Sequence, residues 1–212
     1  GQILRLEQLC RQTVLEGYAA LGLPNKLFLN VRPQCLALPT MGTTGTLDLL
    51  RRLGLNAQSI VIELTENLPF SDYFTVREAL ENYRRLGFTT AIDDLGEGFA
   101  SFRLWSELRP EYVKADMHFV QGIDSDPFKL QFLQSIQRIA DTCGSLIIAE
   151  GIESAIELSV IRNLGIAFGQ GHLIGPPAPL PLVKAPEHVL GLLSRRRGST
   201  LFVDRRAPGN DI

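Results

Sequence analysis

The chain has 212 residues, of which 45% are hydrophobic and 21% are charged, with a net charge of −2. This composition predicts one soluble domain that buries a substantial core, and it excludes a disordered chain. We expect no duplex nucleic acid as a partner, because that needs a basic surface, and no membrane span, because no apolar run reaches roughly 20 residues.

Strand and helix patterns alternate along the chain, which is typical of parallel βα units. Short apolar runs predict strands at residues 26–31, 59–64, 88–94, 111–114, 146–150 and 166–168. Apolar residues at helical spacing predict helices at residues 4–21, 46–53, 71–86, 128–143, 154–164 and 186–196. We therefore predict an α/β fold, with one domain over residues 1–196 and a C-terminal extension or linker over residues 197–212.

Each predicted strand ends in a polar side chain or leads to one. These residues are Asn30, Glu63, Asp93, Asp94, Lys114, Glu150 and Gln170. In a barrel of parallel strands the carboxyl ends converge on one face, so residues distant in sequence meet in one pocket. Charges also occur at strand ends simply because strands reach solvent there, but six strands in succession favour a shared site.

The run from Ile92 to Gly98 places two adjacent carboxylates, Asp93 and Asp94, directly before a glycine-rich turn. Hard cations such as Mg²⁺ and Mn²⁺ take oxygen ligands, and glycines let the backbone turn beneath them. Two aspartates before a glycine are also ordinary turn and helix-cap chemistry. The other strand-end residues favour the metal site.

The number and spacing of the cysteines indicate the cellular compartment. Cys10, Cys35 and Cys143 are odd in number, widely spaced and set in apolar segments. Such spacing predicts reduced thiols in the core rather than a disulfide framework. We therefore expect a cytoplasmic protein.

Six motifs follow one another in a specific order. They are Asn30-Val31, Glu63-Leu64-Thr65-Glu66, Ala91 to Gly96, Val113 to Asp116, Ile148 to Glu153, and Gly169-Gln170-Gly171. This series resembles that of the EAL family, which comprises cyclic di-GMP phosphodiesterases and their non-catalytic receptor relatives. The resemblance covers the chain to about Pro177 and implies a modified TIM-type (β/α)8 barrel.

The resemblance implies hydrolysis of the bacterial second messenger cyclic di-GMP to linear pGpG with two Mg²⁺ or Mn²⁺ ions. Asn30, Glu63 and Asp93 match the family's ligands to one ion. Asp93 and Asp94 match its ligands to the second, with Asp93 bridging. Glu150 matches a residue that is either a second-metal ligand or the general base.

The resemblance also implies roles for five residues around the metals. Lys114 matches a residue beside the attacking water or the phosphate, where an ammonium offsets developing charge. Gln170 matches one at the rim of the metal and water network, and Glu66 matches one that anchors the loop after Asp94. Asp116 and Glu153 lie near the same face, where they either bind substrate or form salt bridges at the barrel end.

The chain departs from the family pattern at the name-giving Glu-Ala-Leu motif, whose glutamate is a metal ligand. In relatives the motif lies on a strand before the first helix, so we expect that strand to lie upstream and the barrel here to be N-terminally incomplete. Glu78-Ala79-Leu80 spells the same letters mid-helix, where we predict a coincidence with Glu78 in solvent. The alternative is a truncated domain with an impaired metal site.

The loop after Asp94 also departs from the family, because Leu95 and Glu97 stand where relatives commonly have Phe and Thr. That loop helps to organise the second metal and the dimer contact in the family. Two functions therefore stay open, a phosphodiesterase or a catalytically weak or inactive cyclic di-GMP receptor module. In either case we expect a homodimer with other signalling domains in the same polypeptide.

Overall fold

The computed structural model describes residues 2–36, 43–65, 73–96 and 101–194. Over these residues the chain forms one six-stranded sheet in which every neighbouring pair is parallel. The strands are β1 Leu27–Asn30, β2 Ile60–Thr65, β3 Thr89–Leu95, β4 Tyr112–Ala115, β5 Leu146–Ala149 and β6 Phe168–Gly169. Their order in the sheet follows their order in the chain.

Helices connect the strands. They are α1 Gln2–Leu21, α2 Pro33–Leu36, α3 Thr43–Leu53, α4 Tyr73–Arg85, α5 Ser101–Leu108, α6 Met117–Val120, α7 Pro127–Cys143, α8 Ala155–Asn163 and α9 Glu187–Ser194. Parallel neighbours joined by crossover connections build the wall of a βα barrel, and all carboxyl ends lie at one rim. The described residues thus form a half-barrel, and the predicted α/β barrel fold is confirmed.

The predicted elements are all present, with shifted ends. The strand predicted at residues 166–168 is displaced to Phe168–Gly169, and the helix predicted from residue 46 begins at Thr43. Helices α2, α5 and α6 were not predicted. Two of them are a single turn, too short to show a helical period. Helix α5 spans eight residues, and its buried Leu104, Trp105 and Leu108 lie at helical spacing that the sequence does show.

The two faces of the sheet have separate apolar clusters, because successive side chains of a strand point to opposite sides. The larger cluster lies between the sheet and the helices and includes Ile62, Ile92 and Val113. A smaller one lies on the concave face. It consists of Val61, Ala91, Tyr112 and Ile148, with Phe28 packed against them.

The prediction of buried cysteines is correct for Cys35 and wrong for Cys10 and Cys143, which are exposed. Both exposed residues lie on outward faces of long helices, where apolar neighbours such as Leu9 and Ile139 are exposed as well. The Cys35 thiol donates a hydrogen bond to Glu7 Oε2 over 3.1 Å. Burial and this contact raise the pKa of Cys35 to about 11. All three thiols are unpaired.

Among the described helices, none combines the length and the apolar character that crossing a lipid bilayer requires.

Candidate active site

The polar residues of the carboxyl rim stand directly above the apolar cluster of the concave face. Each lies two positions after a member of that cluster: Phe28 precedes Asn30, Val61 precedes Glu63, Ala91 precedes Asp93, Tyr112 precedes Lys114, and Ile148 precedes Glu150. A two-residue step along a strand returns to the same face. The sheet therefore builds an apolar floor and a polar layer from the same five strands.

Aromatic rings extend this floor across the half-barrel. The Tyr112 ring contacts the Phe28 ring edge to face at 5.4 Å between centroids, and the Phe168 ring at 6.0 Å. Phe168 again precedes a site residue, Gln170, by two positions. The floor thus spans the half-barrel from β1 to β6.

Lys114 is the centre of the polar layer. Its ammonium nitrogen Nζ lies 2.7 Å from Glu63 Oε1, 2.8 Å from Asp93 Oδ1 and 2.7 Å from Glu150 Oε1. All four residues are buried, with exposed fractions of 2% for Glu63, 9% for Asp93, and 8% for both Lys114 and Glu150. Three carboxylates from three strands therefore share one cation away from solvent.

Burial and mutual repulsion shift the pKa values of these groups. Burial raises the pKa of Glu63 to about 7, with a further contribution from Asp93, although Lys114 partly offsets the shift. Burial raises the pKa of Glu150; Lys114 opposes this, and Asp93 and Asp94 add to it. Burial alone would lower the pKa of Lys114, but the surrounding carboxylates raise it above the ordinary lysine value. Lys114 therefore stays charged at neutral pH.

A β-bulge in β3 brings the carboxylates of two consecutive residues, Asp93 and Asp94, close together. Between Ile92 and Leu95 the register slips, so that three steps along β3 oppose two steps along β4. Asp94 has a left-handed backbone with φ of 56°. Consecutive strand residues ordinarily face opposite sides, and a bulge removes that alternation. Asp93, Asp94 and Glu150 each present a carboxylate oxygen, and these oxygens lie within 4.8 Å of one another.

This donor set fits a divalent metal ion. Hard cations such as Mg²⁺ and Mn²⁺ bind carboxylate oxygens from separate elements, and metal sites keep such oxygens close together. Asp93 and Glu150 are nearly fully buried, so their charges are poorly screened by water. The described residues thus offer an oxygen-lined cation site at the rim.

The loop after β6 completes the rim beside Glu150. Gln170 is exposed, and its Nε2 donates a hydrogen bond to Glu150 Oε1 at 2.5 Å. The backbone N–H of Ile152 donates to the Gln170 carbonyl at 3.0 Å, and the N–H of Leu173 donates to the Ile152 carbonyl at 3.1 Å. The loops after β5 and β6 are thereby tied together, which fixes Gln170 against Glu150.

The other predicted site residues lie farther out. Asn30 is exposed at the end of β1, beside Glu63 in the register of β1 and β2. Asp116 caps α6, because its side chain accepts a hydrogen bond from the His118 N–H over 2.7 Å. Glu153 is exposed and lies 3.8 Å from Nδ1 of His172. For Asp116 and Glu153 these local contacts account for the observed geometry. Glu66 lies outside the described residues.

The motif order and the rim geometry agree with one known family. A family model for the EAL domain matches residues 1–177. The chain belongs to the EAL domain family. Glu78, within the coincidental Glu-Ala-Leu letters, is exposed on α4, as predicted.

Curated relatives of this EAL domain include phosphodiesterases. The chain is 30% identical over 132 residues to the probable cyclic di-GMP phosphodiesterase PdeA of Escherichia coli K12, covering 62% of this chain and 18% of that protein. It is 31% identical over 133 residues to the cyclic di-GMP phosphodiesterase PdeL of the same organism, covering 63% of this chain and 37% of that protein. This EAL domain therefore spans much less than the full length of these relatives.

Solved EAL structures share the fold. A standalone versatile EAL protein from Vibrio cholerae O395, in its cyclic di-GMP-bound form, superposes with a TM-score of 0.81 at 27% identity, covering 87% of this chain and 78% of that chain. Klebsiella pneumoniae BlrP1, in a complex with manganese and cyclic di-GMP, gives a TM-score of 0.73 at 27% identity. That match covers 79% of this chain and 43% of BlrP1.

One buried carboxylate of this EAL domain was not predicted, although the sequence signals it. Glu157 accepts hydrogen bonds from the N–H groups of Gly122, Glu153 and Ser154, each over 2.9 Å. Ser154 and Glu157 form a reciprocal capping box at the start of α8. Serine followed three residues later by glutamate is the sequence signature of that box. Glu157 thus joins the loop after β5, which follows Glu150, to the turn after α6.

Glu157→Gln is expected to destabilise this EAL domain by about 1.5–3 kcal/mol at pH 7, the range for hydrogen bonds to a charged group. Glutamine presents one acceptor oxygen where the carboxylate uses two. Burial by itself would raise the pKa of Glu157, but the three backbone donors lower it below the ordinary glutamate value.

The sign of the pH dependence follows from that lowered pKa. The stabilisation by Glu157 is fully present above its unfolded pKa of about 4.3 and is lost as the pH falls through the lower, folded-state value. Denaturant unfolding of both chains at pH 7 and pH 3 measures this. A difference between the chains that is as large at pH 3 as at pH 7 would contradict the assignment.

Proposed function

We propose that this EAL domain hydrolyses one phosphodiester bond of cyclic di-GMP to give linear pGpG, with two divalent ions, Mg²⁺ or Mn²⁺. The observation that carries the proposal is the buried contact of Glu63, Asp93 and Glu150 with Lys114, with the half-buried Asp94 beside Asp93 and Glu150. Curated relatives are cyclic di-GMP phosphodiesterases, and related EAL structures are complexes with cyclic di-GMP.

The rim offers the ligands for both ions. In this proposal Asn30, Glu63 and Asp93 would hold one ion, and Asp93, Asp94 and Glu150 would hold the other. Two bound divalent ions supply positive charge that polarises a phosphoryl group and makes a nearby water a better nucleophile. The excess of carboxylates over the single ammonium leaves the rim net negative, which favours cation binding.

The chain's own groups account for orientation and proton transfer. Lys114 lies in the same layer as the metal ligands, where its ammonium offsets negative charge that develops on a phosphate. Burial raises the pKa of Glu150 above the ordinary glutamate value, and the Gln170 amide holds the carboxylate in place, an arrangement that suits a proton acceptor. Substrate contacts by Asp116 and Glu153 stay a proposal beside their observed contacts, which are a helix cap and an approach to His172. Anchoring of the loop after Asp94 by Glu66 is likewise a proposal.

The cellular compartment, the neighbouring domains and the oligomeric state are also proposals. Three unpaired thiols, two of them exposed, suit a reducing cytoplasm. The partial coverage of the curated relatives supports a domain that works beside other signalling domains. The homodimer stays a proposal that the family resemblance implies. Arg162 donates hydrogen bonds from Nη1 to the Leu192 and Leu193 carbonyls, which ties α9 to α8. This contact supports a domain that includes α9. Residues 195–212 lie outside the described residues, so the boundary at residue 196 and the extension over 197–212 stay predictions.

The proposal is tested by incubating cyclic di-GMP with the full chain and Mg²⁺ or Mn²⁺, followed by ion-pair chromatography. The expected result is pGpG that accumulates with time and is absent when a chelator is present. Intact cyclic di-GMP that co-elutes with the protein would overturn hydrolysis and leave the receptor function. Intact nucleotide that does not bind would overturn both functions.

A further inference from the structure

One residue of the chain, Lys114, holds the carboxylates of the rim close together. Three carboxylates converge on one ammonium nitrogen at 2.7–2.8 Å, the distance of charge-assisted hydrogen bonds. Buried carboxylates repel one another strongly, and each loses solvation. Without a cation between them, Glu63, Asp93 and Glu150 would separate or take up protons. Lys114 supplies that cation.

Lys114 and the metal ions require the same atoms. Asp93 and Glu150 belong to the oxygen cluster that fits a divalent ion, and both also accept hydrogen bonds from Lys114. A carboxylate oxygen has limited lone pairs, and a divalent ion close to an ammonium is repelled by it. A metal ion that enters the cluster therefore weakens the contacts of Lys114 or replaces them.

We infer that Lys114 is an internal counter-cation, which holds the carboxylate rim together in the metal-free chain and competes with the first divalent ion for Asp93 and Glu150. This inference rests on the metal-binding part of the proposed function. Metal entry then exchanges one cation for another within a preassembled rim. The ammonium that the metal displaces becomes available to an anionic ligand, so metal and anion binding reinforce one another.

The first test compares the wild-type chain with Lys114→Met, which keeps most of the side-chain length and removes the charge. Without metal, the variant is expected to melt at a lower temperature than wild type at pH 8. Calorimetric titration with Mn²⁺ is expected to show about tenfold tighter binding of the first ion in the variant, the effect of one nearby charge on an ionisation equilibrium. The rise in melting temperature with Mn²⁺ is expected to be larger in the variant too.

A matched control is Lys26→Met, because Lys26 is exposed and, among the described residues, donates only to the Gln58 carbonyl, over 2.8 Å. This control is expected to leave Mn²⁺ affinity unchanged. Wild-type and Lys114→Met chains with equal metal-free stability and equal Mn²⁺ affinity would overturn the inference alone. A wild-type chain that binds no Mn²⁺ would overturn the proposed metal site, and the competition with it.

A second measurement uses only the wild-type chain and so does not depend on the folding of the variant. The ¹⁵N resonance of the Lys114 ammonium is followed during titration with Mg²⁺, which is diamagnetic. A slowly exchanging ammonium signal without metal, which shifts as Mg²⁺ binds, is the expected result. A signal that stays unchanged at saturating Mg²⁺ would show that the metal does not displace Lys114 and would overturn the inference.

Discussion

Glu63→Gln is expected to reduce hydrolysis of cyclic di-GMP by about 10²–10³-fold, the cost of removing one preorganised electrostatic contact at a reacting group. Glu63 is 2% exposed and lies 2.7 Å from Lys114. Glutamine keeps the side-chain shape and one acceptor oxygen for Lys114, but it removes a negative charge from the rim. The chain is therefore expected to fold while losing metal affinity and activity together.

The matched control is Glu78→Gln, the same chemical change on the exposed face of α4. Glu78 belongs to the only stretch of this chain that spells Glu-Ala-Leu. The control is expected to leave the rate of pGpG formation unchanged, as measured by chromatography at saturating Mn²⁺. A large loss of activity in Glu78→Gln, or none in Glu63→Gln, would contradict the assignment of the metal site to the rim.

Gly171→Ala is expected to lower both the stability of the domain and its activity. A Cβ atom at position 171 would lie 2.2 Å from both the backbone nitrogen and the backbone oxygen of Ile152. Backbone atoms cannot move aside as a side chain can, so the loops after β5 and β6 must separate. Overpacking of this kind costs about 1–3 kcal/mol. Gln170 would move away from Glu150 with the loop.

Thermal unfolding and product chromatography measure the two effects of this substitution. Gly191→Ala is the control, because among the described residues no atom outside its chain neighbours and its own helix backbone lies within 4 Å of a Cβ added there, and the residue lies in helix α9. It is expected to be neutral or to stabilise the chain by up to about 1 kcal/mol, the difference in helix propensity. Equal stability of Gly171→Ala and wild type would show that the close approach of the two loops is unimportant.

The rim could be predicted from the sequence because it depends on two regularities. Parallel strands bring their carboxyl ends together. Side chains alternate between the two faces along each strand, which places these rim residues on the same face of the sheet. Glu63, Asp93, Lys114 and Glu150 obey both, and they lie in contact around one nitrogen atom. The order of the motifs predicts membership of the EAL family, and the match over residues 1–177 confirms it.

Features that depend on contacts between distant parts of the chain could not be predicted from the sequence. The bulge at Asp94 is a register slip between β3 and β4, and no local pattern in the sequence marks it. The threefold contact of Lys114 depends on how far three strands stagger relative to β4. Gly171 is needed because of a residue nineteen positions earlier in the chain, Ile152. By contrast, Glu157 carried a local capping signature that could have been recognised.

The sequence does not determine the contacts of residues that lie in the loops after the strands. Asp116 and Glu153 were expected near the rim, and their contacts are a helix cap and an approach to His172. Glu66 and Glu97 lie outside the described residues, so their predicted positions in the loop around the second metal stay predictions.

The claim that the carboxyl rim is a divalent metal centre is tested most directly by anomalous X-ray diffraction from crystals of the full chain grown with Mn²⁺. We expect anomalous density bounded by the carboxylates of Asp93, Asp94 and Glu150, with Lys114 turned away from at least one of its partners. Manganese found only at surface carboxylates, with Lys114 still bridging Glu63, Asp93 and Glu150, would contradict the account.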